Sequence, residues 1–130
     1  MVHWPRVLLV VDEAHKLKWV ARVRETATGE RYEERLVSRV LRENRKLGCA
    51  VFFSSQVPWD FSPEDYLNAA VKIALPGNDP PYLDFVSRAL GAGEDGRHWL
   101  AGAKVGVCLL HRKAVPGYRK VVLELRKEAL

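Results

Sequence analysis

A chain of 130 residues with 48% hydrophobic and 28% charged residues has the composition of a soluble globular protein, long enough to bury a true core as one domain, 1–130. No apolar run approaches the roughly 18 residues of a membrane span, and the N-terminal MVHWPR leads into a strand pattern rather than a leader, so a membrane-spanning or secreted protein is disfavoured and a cytoplasmic one expected. The net charge of +5 favours an anionic partner such as nucleic acid or nucleotide, although a thermophile-like profile, with one Gln, three Asn and one Met, accounts for a charge-rich surface equally well.

In chain order, the apolar run Val7 to Val11 predicts a buried strand that stops at Asp12-Glu13. The basic segment HKLKWVARVRETATGE follows, with a loop at Thr26 to Gly29. From about Glu30 to Leu47 the apolar positions Leu36, Val37, Val40, Leu41 and Leu47 recur at helical spacing, and Gly48 stands where a C-terminal cap would sit. CAVFF and VKIAL read as short strands. Between them, Ser62 caps and Pro63 opens a helix with acids in its first turn. Asp79 caps the next helix, Pro80 opens it, Tyr82, Phe85, Val86, Ala89 and Leu90 line one face, and Gly91 ends it. GAGEDG is expected to be a flexible loop. VGVCLLHR and RKVVLELR, separated by KAVPGY, predict an antiparallel hairpin. Cys49 and Cys108 fall in apolar runs and indicate neither a disulfide nor, without a paired Cys or His, a zinc site.

Strands alternating with helices imply an α/β fold with a mostly parallel sheet, in which ligands sit at the carboxyl ends of strands. Asp12-Glu13 and Ser54-Ser55-Gln56 both follow apolar strands, so two strands deliver polar groups to one rim. An acid pair on such a rim suits nucleotide hydrolysis, the first holding Mg²⁺ through its water shell and the second orienting the attacking water. A bare Asp-Glu after an apolar strand is also compatible with a simple strand end.

VLLVVDEAHKL, VLRENRKLGCAVFFSSQVPWDFSPE, NAAVKIAL and FVSRALG resemble, in order, the Walker B strand, the Arg-bearing helix end, the glutamine sensor strand and the following strand and helix of HerA/FtsK-type ATPases. They are also similar to the ATPases of conjugative type IV secretion systems. The resemblance implies an incomplete RecA-like domain with a C-terminal β-hairpin, ATP and Mg²⁺ as cofactors in a complete assembly, and a homo-oligomer or a partner chain carrying the phosphate loop. It implies Asp12 as the Mg²⁺-associated acid, Glu13 as the catalytic acid, Gln56 as the γ-phosphate sensor and Arg45 as a finger toward a neighbouring subunit, with Arg42 and Arg88 as alternatives. DNA is the polymer that such ATPases move.

The family's phosphate loop, GxxxxGK[ST], has no counterpart, because no Gly-Lys dipeptide occurs in the chain. The expectation is therefore a fragment, relic or companion subunit of a DNA translocase that is inactive alone. The alternative is a non-catalytic nucleic-acid-binding or subunit-interaction protein on the same scaffold.

Overall fold

The computed structural model describes residues 5–17, 20–44 and 46–124, and the chain divides into two compact units, Met1–Asn68 and Ala69–Leu130. The first unit is organised by two apolar strands. β1 (Val7–Val11) and β4 (Cys49–Phe53) pair in parallel with flush register, Val7 opposite Cys49 and Val11 opposite Phe53. Parallel pairing requires a long crossover, and the intervening chain supplies a hairpin and a helix. Flush register sets both carboxyl ends side by side. Ser54 N–H donates to Val11 O at 3.0 Å, and Ala14 N–H donates to Ser54 O at 2.8 Å.

The crossover departs from the sequence reading. β2 (Val20–Glu25) and β3 (Arg31–Arg35) form an antiparallel hairpin where a basic segment and the start of a helix were expected. The expected loop at Thr26 to Gly29 is the hairpin turn, with Gly29 at φ 80° and Thr26 Oγ1 accepting from Glu30 N at 3.0 Å. Residues 30–35 lack the apolar repeat that marks α1, while cross-strand pairing places Arg22 opposite Glu34 and Arg31 opposite Glu25. The helix α1 spans only Leu36–Glu43, and its cap is Asn44 rather than Gly48. Gly48 serves instead at φ 66° in the turn that feeds β4.

The helix α2 (Pro63–Asn68) begins as expected from Ser62. Asp65 N–H donates to Ser62 Oγ at 3.2 Å and Ser62 N–H donates to Asp65 Oδ2 at 2.8 Å, a reciprocal cap. Few apolar residues of this unit are enclosed. Ala14 and Val37 are buried, whereas Val7, Leu8, Leu9 and Val10 are between 46% and 66% exposed, so the strand read as buried is open on both faces.

In the second unit, β5 (Val71–Ala74), β6 (Val107–Arg112) and β7 (Tyr118–Val122) make an antiparallel sheet with β6 in the centre. The expected hairpin is β6–β7, with Gly117 at φ 76° in its turn. The helix α3 (Pro80–Ala89) has its cap as read, Tyr82 N–H donating to Asp79 Oδ2 at 3.1 Å, and Gly91 at φ 65° follows its end. GAGEDG is not a loop. It opens α4 (Gly93–Ala101), and Gly96 explains why. A Cβ there would lie 2.2 Å from Ala92 Cβ and 2.9 Å from Leu109 Cδ1, so this glycine permits close approach of α4 to β6. Leu100 and Leu109 are fully enclosed, in a core completed by Ala74, Leu83, Val86, Leu90 and Ala92. The class is thus α/β, with the parallel pairing in β1–β4 and the antiparallel group at the C-terminal end.

Candidate functional site

The paired carboxyl ends of β1 and β4 create the site. Directly after β1 the chain turns sharply, and Glu13 adopts φ 54°, ψ 43°, the one non-glycine residue with positive φ among the described residues. For a Glu this left-handed conformation costs on the order of 1–3 kcal/mol, and such strain is concentrated at functional positions. It is held by the rim. Glu13 N–H donates to Asp12 Oδ1 at 2.9 Å and points toward Ser54 Oγ at 3.4 Å, while Ser54 Oγ donates to Asp12 Oδ1.

The Glu13 carboxylate is bound at both oxygens. Gln56 Nε2 donates to Oε1 at 2.7 Å, and Lys16 Nζ stands 3.0 Å from Oε2. Asp12, Glu13 and Gln56, which the sequence singles out on two separate strands, are therefore one hydrogen-bonded group. The Ser54 hydroxyl, followed by the Glu13 amide, holds the Asp12 carboxyl below its usual range, so it is firmly ionised near neutrality. Sequence reading placed Ser54 on the rim without a role and overlooked Lys16. The signal for Lys16 was its position three residues after an acid.

The arginines divide. Arg45 lies outside the described residues. Arg42 is tied to carboxylates within its own unit: it pairs closely with Glu34 and stands 3.5 Å from Glu64, and the Glu34 contact raises its already high pKa. Arg88 belongs to the second unit, where its Nε donates to Asp84 O at 3.1 Å.

Donor chemistry bears on the metal. Among the described residues no group of three or more His, Cys, Asp or Glu forms a cage for a cation. A single ionised Asp with one oxygen occupied by Ser and backbone donors suits Mg²⁺, which keeps most of its waters and takes other ligands from substrate phosphates. No described helix is long and apolar enough to cross a membrane.

No protein-family model matches the sequence, and no curated protein does. Solved structures do. The genome packaging NTPase B204 from Sulfolobus turreted icosahedral virus 2, in complex with ATPγS, superposes with TM-score 0.65 over 91% of this chain and 52% of that one, at 19% identity. Its AMP complex gives TM-score 0.65 over 91% and 53% of the two chains, also at 19% identity. The DNA-packaging ATPase B204 from Sulfolobus turreted icosahedral virus gives TM-score 0.66 over 91% and 52%, at 19% identity. At this identity the likeness is one of fold. The chain has a partial RecA-like α/β fold, in agreement with the resemblance read from its motifs, and it spans about half the length of the solved chains it matches.

Proposed function

We propose that this chain provides the Walker B and sensor half of a RecA-like ATPase core, as a part or companion of a HerA/FtsK-like DNA translocase. The observation that carries the reading is the hydrogen-bonded group Asp12, Glu13, Ser54 and Gln56 at the carboxyl ends of two parallel strands, with Glu13 in a strained backbone conformation. The fold supports it, since B204, with the same fold, is solved with ATPγS and AMP.

In this reading each side chain has a defined task. Asp12, kept ionised by Ser54, would hold Mg²⁺, which would supply charge neutralisation on the phosphates. The Glu13 carboxylate accepts a hydrogen bond from the attacking water and aligns it with the γ-phosphorus. Gln56 has a neutral head with donors and an acceptor, which suits it to hold Glu13 on one side and a phosphate oxygen or the water on the other. Lys16 neutralises Glu13 from the solvent side. The phosphate cradle must come from a segment with a Gly-Lys loop, since the sequence holds no such dipeptide. Arg45, in a segment that resembles the arginine-bearing helix end, is the residue proposed to reach a neighbouring subunit's nucleotide.

The test is an amide NMR titration of the chain with Mg-ATPγS, with and without a phosphate-loop segment supplied in trans or by fusion. Shifts at Glu13 and Gln56 that need the supplied segment agree with the reading. Shifts confined to residues away from both strand ends contradict it.

A further inference from the structure

Lys16 brings a positive charge to a rim that carries two acids. It ends the short helical turn Ala14–Lys16, which follows the backbone reversal at Glu13, and its N–H donates to Glu13 O at 2.9 Å. The turn sets Lys16 Nζ 3.0 Å from Glu13 Oε2, with the lysine side chain 72% exposed. Its charge is felt at Asp12 as well, whose carboxyl is held down first by the Ser54 hydroxyl, then by the Glu13 amide, and lastly by Lys16.

This placement bears on what Glu13 can do. Gln56 Nε2 donates to Oε1 at 2.7 Å and the ammonium stands at Oε2, so both oxygens are engaged and the carboxylate is a weaker acceptor for a water. An exposed ion pair of this kind is held loosely, and a stronger anion draws the lysine away.

We infer that Lys16 exchanges partners when substrate binds: its ammonium leaves Glu13 Oε2 for the terminal phosphate of a nucleoside triphosphate, which distinguishes triphosphate from diphosphate and frees Glu13 to act on water. The inference rests on the role proposed above for Asp12 and Glu13 at a nucleotide. Two acids and one lysine leave the rim net negative, so a phosphate that enters needs cations, and Lys16 is already there. A terminal phosphoryl group offers three acceptor oxygens and about twice the charge of a carboxylate. A lysine, a point charge on a flexible four-carbon stem, suits a swing between two anions better than the fixed fork of an arginine. With a diphosphate no terminal group reaches the acids, and Lys16 stays on Glu13.

The experiment titrates the full chain, with the phosphate-loop segment supplied in trans, with Mg-ATPγS and with Mg-ADP by calorimetry. It compares the wild type with Lys16→Gln, a change at an exposed position that disturbs no packing. Lys16→Gln is expected to bind Mg-ATPγS severalfold more weakly and Mg-ADP as the wild type does. Equal losses for the two nucleotides, as a merely structural lysine would give, or an unchanged affinity for Mg-ATPγS, would overturn the proposal. Amide NMR of Glu13 and Gln56 in the same mixtures separates this failure from that of the site. If both amides respond to Mg-ATPγS while Lys16→Gln binds it as tightly as the wild type, the exchange alone falls. If neither amide responds in the wild type, the nucleotide site falls and the exchange with it.

Discussion

Glu13 concentrates the argument at the scale of single residues. A left-handed Glu has no propensity to recommend it, so its conformation reflects the bonds that bracket it: its amide on Asp12, and its carboxylate between Gln56 and Lys16. The identities of Asp12, Glu13 and Gln56 were legible because each follows an apolar strand, and flush pairing brings strand ends together. The parts played by Ser54 and Lys16 were not legible, because they depend on the backbone reversal at Glu13, which no local pattern announces. Asp12 gives a pH prediction. Its folded pKa is depressed, so the stabilisation it brings is present above the ordinary carboxylate range and is lost as pH falls through the depressed value. Ser54→Ala removes the largest cause of that depression. Carboxyl NMR should show the Asp12 midpoint moving up toward the ordinary range in this variant; an unmoved midpoint would mean that Ser54 does not hold Asp12.

At the scale of elements, the well-punctuated helices α2 and α3 and the β6–β7 hairpin follow from their caps and turns. The β2–β3 hairpin and α4 do not. Arg31 to Arg35 carries charges that fit a solvated helix or a strand equally, and only cross-strand partners on β2 decide. In α4, glycines suggested flexibility, whereas Gly96 is a packing requirement. Gly96→Ala should therefore destabilise the chain. Helix propensity favours Ala by about 1 kcal/mol, but overpacking of this kind costs about 1–3 kcal/mol. A urea melt should show a lower midpoint, and a higher one would mean that α4 does not seat on β6 as described. On α4, Asp95 accepts from Lys120 and Tyr118 of β7, and these contacts, Lys120 foremost, hold its pKa down. Asp95→Asn should make the second unit's stability less sensitive to acid, because the wild-type contribution disappears as pH falls through the depressed pKa. Thermal melts of the two forms across an acid series check this. Parallel loss in both would exclude a role for the pair.

At the scale of the molecule, the exposed β1 residues carry the most weight. Parallel strands are ordinarily covered on both faces, and Val7 through Val10 with Phe52 are between 46% and 66% exposed. The solved chains of the same fold are about twice as long as the part this chain matches. Taken alone, the chain should self-associate or bind an apolar dye, and sedimentation at rising concentration measures it. A monomer at high concentration with no dye binding would contradict the half-domain account. Arg45 belongs to this scale too, because its proposed role requires a neighbouring subunit. Arg45→Ala should spare nucleotide binding yet lower turnover in a complete assembly, and mixing with Glu13→Gln subunits should restore part of it.

The central claim is that Asp12 and Glu13 act on nucleotide once a phosphate loop is present. Steady-state ATP hydrolysis by the chain joined to such a segment, compared with its Glu13→Gln form, tests this most directly. The account predicts no turnover by the chain alone, clear turnover by the joined form, and its loss in Glu13→Gln with Mg-ATP still bound, because the amide keeps the shape of the acid but cannot polarise water. Undiminished hydrolysis in Glu13→Gln would contradict the account and leave Asp12-Glu13 as the end of a strand.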